Sequence, residues 1–83
     1  MMDEKYLKMC NLPSLNDYLE MYGNSKNIEY VYYDTFLIQS DRRVLQHLRE
    51  KSLGIQTSLT EEEYLELENC RQFCVEKIRA LKG

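Results

Sequence analysis

The stretch "NIEYVYYDTFLIQS", residues 27–40, decides the fold. Ile28 to Tyr33 is rich in β-branched and aromatic residues, which suit a pleated, half-buried surface. A strand needs a partner, however, and no second strand of matching length is evident. Either residues 35–39 would have to fold back on it or another chain would have to supply one. The reading is therefore extended or irregular chain with an edge strand at 28–33; the alternative is that a helix begins here.

Downstream of this stretch the pattern is helical. Asp34 is a plausible N-cap, and Leu37, Ile38, Val44, Leu45 and Leu48 gather within about 120° at the helical period, so they are the expected core face. Arg42, Arg43, Gln46, Arg49 and Glu50 lie opposite. Gly54 stands where a helix C-terminus wants a left-handed residue, so the expected helix covers about 35–53. "GIQTSL" is a connector of common length for a helical hairpin.

The last segment, "TEEEYLELENCRQFCVEKIRALKG", is the clearest helix, about 60–82. Thr60 and Glu63 have the spacing of a capping box. Glu61, Glu62 and Glu63 occupy the positive end of the helix dipole, and Lys77, Arg79 and Lys82 the negative end. Upstream, Ser14 is the expected N-cap of a short helix at about 14–22, with Leu15, Tyr18, Leu19 and Tyr22 on one face and Gly23 with Asn24 ending it. A shorter helical turn fits Asp3 to Cys10. The expected fold is mainly α: a small helical domain, 1–83, built on an αα-hairpin of about 35–53 and 60–82.

Chemistry is sparse. Cys70 and Cys74 share a face with Leu67, Ile78 and Leu81 within about 80°, the most apolar stripe of the chain, with Tyr64 and Val75 beside it. There they read as small hydrophobes. A disulfide between them within one helix suits S–S geometry poorly. A Cys3His zinc set of Cys10, Cys70, Cys74 and His47 is the sharper alternative, but a helical C-x3-C is not the usual knuckle. His47 has no neighbouring nucleophile in sequence. The acidic run at 61–68 lacks the alternating loop and glycine of a calcium site. Three glycines, at 23, 54 and 83, make no phosphate loop. No catalytic residue, metal or cofactor is expected, and the chain is not read as an enzyme.

With 83 residues, the chain buries a limited core, so a partner or self-association would help it. A net charge of −3 and a pI near 5.1 disfavour nucleic acid. Three cysteines, a charged start and no apolar run of membrane-spanning length point to a reduced, cytoplasmic protein. The last helix shows a second apolar group, Leu65, Phe73 and Ala80. Seven tyrosines, three of them at 30, 32 and 33, suit an interface.

The expected function is protein binding, as a small acidic regulator, inhibitor or adaptor. Its interface residues would be Tyr30, Tyr32, Tyr33, Leu65 and Phe73, and its state a homodimer. Short acidic chains of this kind include accessory proteins of phages and mobile elements. The alternative is a helix–turn–helix-like nucleic-acid binder using Arg42, Arg43, Arg49 and Lys51. It is weakened by the glutamates at the start of the second helix, where that motif meets the major groove.

Overall fold

The computed structural model describes residues 2–82 and is mainly helical. Among these residues four helices follow in order: α1 (Glu4–Met9), α2 (Leu15–Tyr22), α3 (Lys26–Ser52) and α4 (Glu61–Lys82). α3 and α4 form the hairpin, and α2 packs on α3. At 27 residues α3 is about 40 Å long. It therefore runs the length of a molecule measuring 44 × 25 × 17 Å.

The edge strand expected at 28–33 is helix instead, and α3 begins at Lys26, not after Asp34. The cause is local and tertiary together. Gly23, at φ +118°, turns the chain out of α2 in a conformation that side-chain-bearing residues rarely adopt. Ser25 then caps the new helix, its hydroxyl accepting from the Ile28 N–H at 3.2 Å. With a cap in place and a long face to bury, packing overrides the β preference of the tyrosine-rich segment.

Helical spacing carries Tyr32, Tyr33 and Phe36 inward, followed by Ser40 and His47, all of them buried. The core face expected from the aliphatic residues is displaced accordingly. Leu37 and Val44 pack against the core, but Ile38, Leu45 and Leu48 are 58%, 60% and 47% exposed.

The remaining capping signals act as the sequence predicts. Ser14 accepts from the Asp17 N–H. Thr60 and Glu63 exchange two bonds, at 3.0 and 3.1 Å, in a full capping box. Gly54, at φ +71°, closes α3 in a Schellman motif, with Ile55 N–H on the Glu50 carbonyl and Gly54 N–H on that of Lys51. α1 ends the same way, with Asn11 in the left-handed position and Leu12 N–H on the Leu7 carbonyl. The connector is tied back to α3 by Glu50, whose carboxylate accepts from both the N–H and the hydroxyl of Ser58. Leu59, 5% exposed, closes the core at that end.

The core is Tyr6, Leu7 and Cys10 of α1 and its cap, the α3 aromatics, Leu59, and Leu67, Cys70 and Cys74 of α4. Two tyrosine hydroxyls that reach it are hydrogen-bonded. Tyr6 donates to Glu66 and Tyr32 to the Pro13 carbonyl, at 3.1 and 2.8 Å. These bonds fasten α1 to α4 and the α1–α2 connector to α3. Among the described residues no helix is long and apolar enough to cross a membrane.

Candidate functional site

The outer face of α3 is the candidate interface, and its geometry follows from the inner one. Phe36, Ser40 and His47 point to α4 and fix the rotation of the helix. Val31, Ile38 and Leu45 then lie on the far side, roughly opposite the core and seven residues apart, about 10 Å per step. Val31 is 45% exposed, and with Ile38 and Leu45 it makes a ridge along the longest helix. Leu48 extends the ridge on one flank. Leu53 and Ile55 at the hairpin turn, and Met21 with Tyr22 before α3, are exposed beyond its two ends.

Charged residues border this ridge unevenly. Asp34 and Asp41 fall on one flank, Arg42 and Arg49 on the other. Asp41 pairs with Arg71 of its own chain. Arg42 and Arg49 are exposed and make no ion pair among the described residues.

The sequence-predicted interface residues divide. Leu65, 60% exposed, is a surface residue of α4. Tyr30 is half-buried beneath the Lys82 ammonium, 5.3 Å from the ring centroid. Tyr32 and Tyr33 are corrected from interface to core: they are 1% and 3% exposed, because the helical register turns both inward. Burial pushes the phenol of each up to about 12. Phe73 leans into the same core, edge-on to Tyr33. The second apolar side expected of α4 is thereby reduced to Leu65 and the small Ala80. Tyr32, Tyr33 and Phe73 do meet, with Met2, Leu7 and Leu15, around a crevice of about 250 Å³. That volume suits one inserted side chain and falls short of the usual ~300–1,000 Å³ ligand site.

The residues with chemical potential are placed as follows. Cys10, Cys70 and Cys74 are buried in the core and form no disulfide among the described residues. Burial, with the other thiols adding to it, holds Cys74 up at about 12, and burial raises Cys10 against the opposing pull of Arg43 and Arg71. A raised thiol is a poor nucleophile, since the thiolate is the reactive form.

His47 is 1% exposed and stacks on Tyr64, centroids 4.4 Å apart. Its Nε2 lies 3.6 Å from Glu61, and neither ring nitrogen has a hydrogen-bond partner among the described residues. Cys70 is nine residues further along α4 than Glu61, about 13 Å, so His47 and the thiols sit at different levels of the hairpin. Among the described residues no group of three or more His, Cys, Asp or Glu side chains is placed to hold a metal ion.

The four cations of the nucleic-acid reading do not form one stripe. Arg42 and Arg49 share the outer flank of α3. Arg42 also lines, together with Arg43, a groove against Met9 and Asn11, while Lys51 is paired with Glu61 at 3.1 Å.

Sequence reasoning missed Arg71. Its guanidinium donates to the Leu37 carbonyl at 2.9 Å and the Ser40 hydroxyl at 2.6 Å, pairs with Asp41, and lies 3.5 Å from Glu68. It locks α3 to α4 and so fixes which side of α3 faces outward. Sequence offers no signal for this bond, which spans more than thirty residues. The outward ridge did carry a signal, the seven-residue repeat of Val31, Ile38 and Leu45.

No protein-family model, no curated protein and no solved structure matches this chain.

Proposed function

We propose that this chain is a protein-binding module, a small regulator, inhibitor or adaptor that acts by docking through the outer face of α3. One observation carries the reading: Val31, Ile38, Leu45 and Leu48 are all near half-exposed or more on a single helix whose other face is fully engaged. Leaving such a ridge in water has a cost, and rows of exposed apolar residues rimmed by charge mark interaction surfaces. The binding surface expected at the tyrosines moves to this ridge, with Leu65 a separate exposed point on α4. Buried thiols and acidic charge fit a reduced, cytoplasmic setting.

Capture experiments with the purified chain as bait test this reading. A protein retained by the wild type and lost from an Ile38→Asp/Leu45→Asp double variant of unchanged helicity supports it. A partner that ignores those substitutions but is lost on Leu65→Asp, or on filling the Tyr32–Phe73 crevice, contradicts it.

A further inference from the structure

The two flanks of the ridge carry opposite charge, and this selects an occupant. We propose that a second copy of this chain covers the outer face of α3, in a parallel two-fold pair with the two α3 helices in register. The inference rests on the reading of that face as the binding surface and names its partner.

Its first support is charge. A two-fold axis running along the helices sets the acidic flank of each copy against the basic flank of the other. Asp41 of one protomer then stands level with Arg42 of its partner, twice by symmetry, and Leu48 lies against the stem of Arg49. An antiparallel pair would instead set each flank against its own kind, acid to acid and base to base. Among the described residues Arg42 and Arg49 have no ion pair, and Asp41, 56% exposed, keeps room beside its bond to Arg71.

The second support is spacing. Val31, Ile38 and Leu45 repeat at seven residues, and in register each meets its own copy. A seven-residue apolar repeat drifts about 20° per heptad on a straight helix, which a left-handed crossing of two α3 helices absorbs. The same axis brings the exposed Leu53 and Ile55 of the two hairpin turns to one end and Met21 with Tyr22 to the other. Apolar groups at both ends of α3 thereby extend the contact beyond the ridge.

The other clusters carry less. The crevice at Tyr32, Tyr33 and Phe73 is small and belongs to the core, and His47 has no open path to solvent.

The test uses the full chain. Light scattering across a dilution series from low to high micromolar should show the wild type passing from monomer to dimer. Ile38→Asp and Leu45→Asp, with unchanged helicity, should each weaken association about thirtyfold or more, the effect of a central interface residue. Direction is read by cross-linking. Val31→Cys, Ile38→Cys and Leu45→Cys, each alone, should oxidise to disulfide-linked dimers while the wild type, its thiols buried, does not. A wild type monomeric at high micromolar concentration overturns the dimer. So does a dimer indifferent to both aspartate substitutions, and cross-linking confined to Ile38→Cys contradicts the parallel register. A monomeric wild type leaves the docking face standing, since the capture experiment reads that face independently.

Discussion

The Arg71 guanidinium of α4 donates to the Ser40 hydroxyl of α3 at 2.6 Å, and that hydroxyl in turn donates to the Leu37 carbonyl one turn back at 3.2 Å. Ser40 is fully buried, so the bond makes a polar position compatible with the centre of a helix–helix interface. Arg71→Ala should cost about 2–3 kcal/mol, because it removes the guanidinium's bonds to the Leu37 carbonyl and the Ser40 hydroxyl, leaves that hydroxyl only its own bond to Leu37, and frees Asp41. Arg71→Lys should recover only part of this, since a single ammonium cannot serve the fork of acceptors that the guanidinium reaches. Urea unfolding of the three proteins checks both statements.

His47 gives the opposite expectation. Both nitrogens are buried without a hydrogen bond among the described residues. His47→Phe keeps the stack on Tyr64 and removes the unsatisfied groups, so it should match or exceed wild-type stability by about 1 kcal/mol. His47→Ala, which leaves a cavity, should lower it by about 2–3 kcal/mol. Equal losses in the two variants would show that the ring nitrogens have partners after all.

Alkaline pH should unfold the chain. Cys74 is raised from 9.0 to about 12, and Tyr32 and Tyr33 from 10.0 to about 12. For each, the unfolded state loses its proton first. The stabilisation is complete below the unfolded values and is lost as pH climbs through the 9–12 window. Helical circular dichroism and tyrosinate absorbance followed together should show the buried phenols ionising as helicity is lost. Acid acts through Glu63, held down at about 2 by Lys5 and the Thr60 N–H. Its contribution is present above the usual carboxylate value and fades as pH falls toward about 2. Glu63→Gln should flatten the acid limb of the stability profile.

The thiols should behave as packing. Cys70→Ala and Cys74→Ala should each cost about 1 kcal/mol, as small core truncations do. A thiol reagent should label the native chain slowly and the urea-unfolded chain fast. Rapid native labelling at Cys74 would place it at the surface.

Two elements of this fold were plain in the sequence because several local signals agreed. In α4 the capping box, the charge gradient and the Leu67–Cys70–Cys74 stripe all indicate one helix and its main inner face, although Phe73 was read on a second, outer side, and α2 is bracketed by Ser14 and Gly23. α3 was legible only in its second half. Tyr30, Tyr32 and Tyr33 favour strand by local preference, and the contrary sign, Ser25 placed as a cap just after Gly23 and Asn24, is small.

The inner face of α3 was misassigned for a different reason. Ranking by aliphatic character puts Ile38, Leu45 and Leu48 inside, whereas volume puts Phe36 and the tyrosines there. Ser40 is satisfied inside by its own bond to the Leu37 carbonyl and by Arg71, which arrives from thirty-one residues away. The seven-residue repeat of Val31, Ile38 and Leu45 was visible in the sequence, but its outward direction was not, since an outer face is known only once the inner one is.

The same geometry separates surface from core by mutation. Leu48→Asp and Ile38→Asp should leave the fold intact, with changes within about 0.5 kcal/mol under dilute conditions. Leu67→Asp, which buries an unpaired charge, should unfold it.

The claim that a second copy covers the outer face of α3 is tested most directly by methyl NMR of the full chain recorded from dilute to concentrated solution. The account predicts that Val31, Ile38, Leu45 and Leu48 shift together with concentration while the core methyls of Leu7 and Leu67 stay fixed. Shifts confined to Leu65 and Ala80, or to residues around the Tyr32–Phe73 crevice, would contradict it.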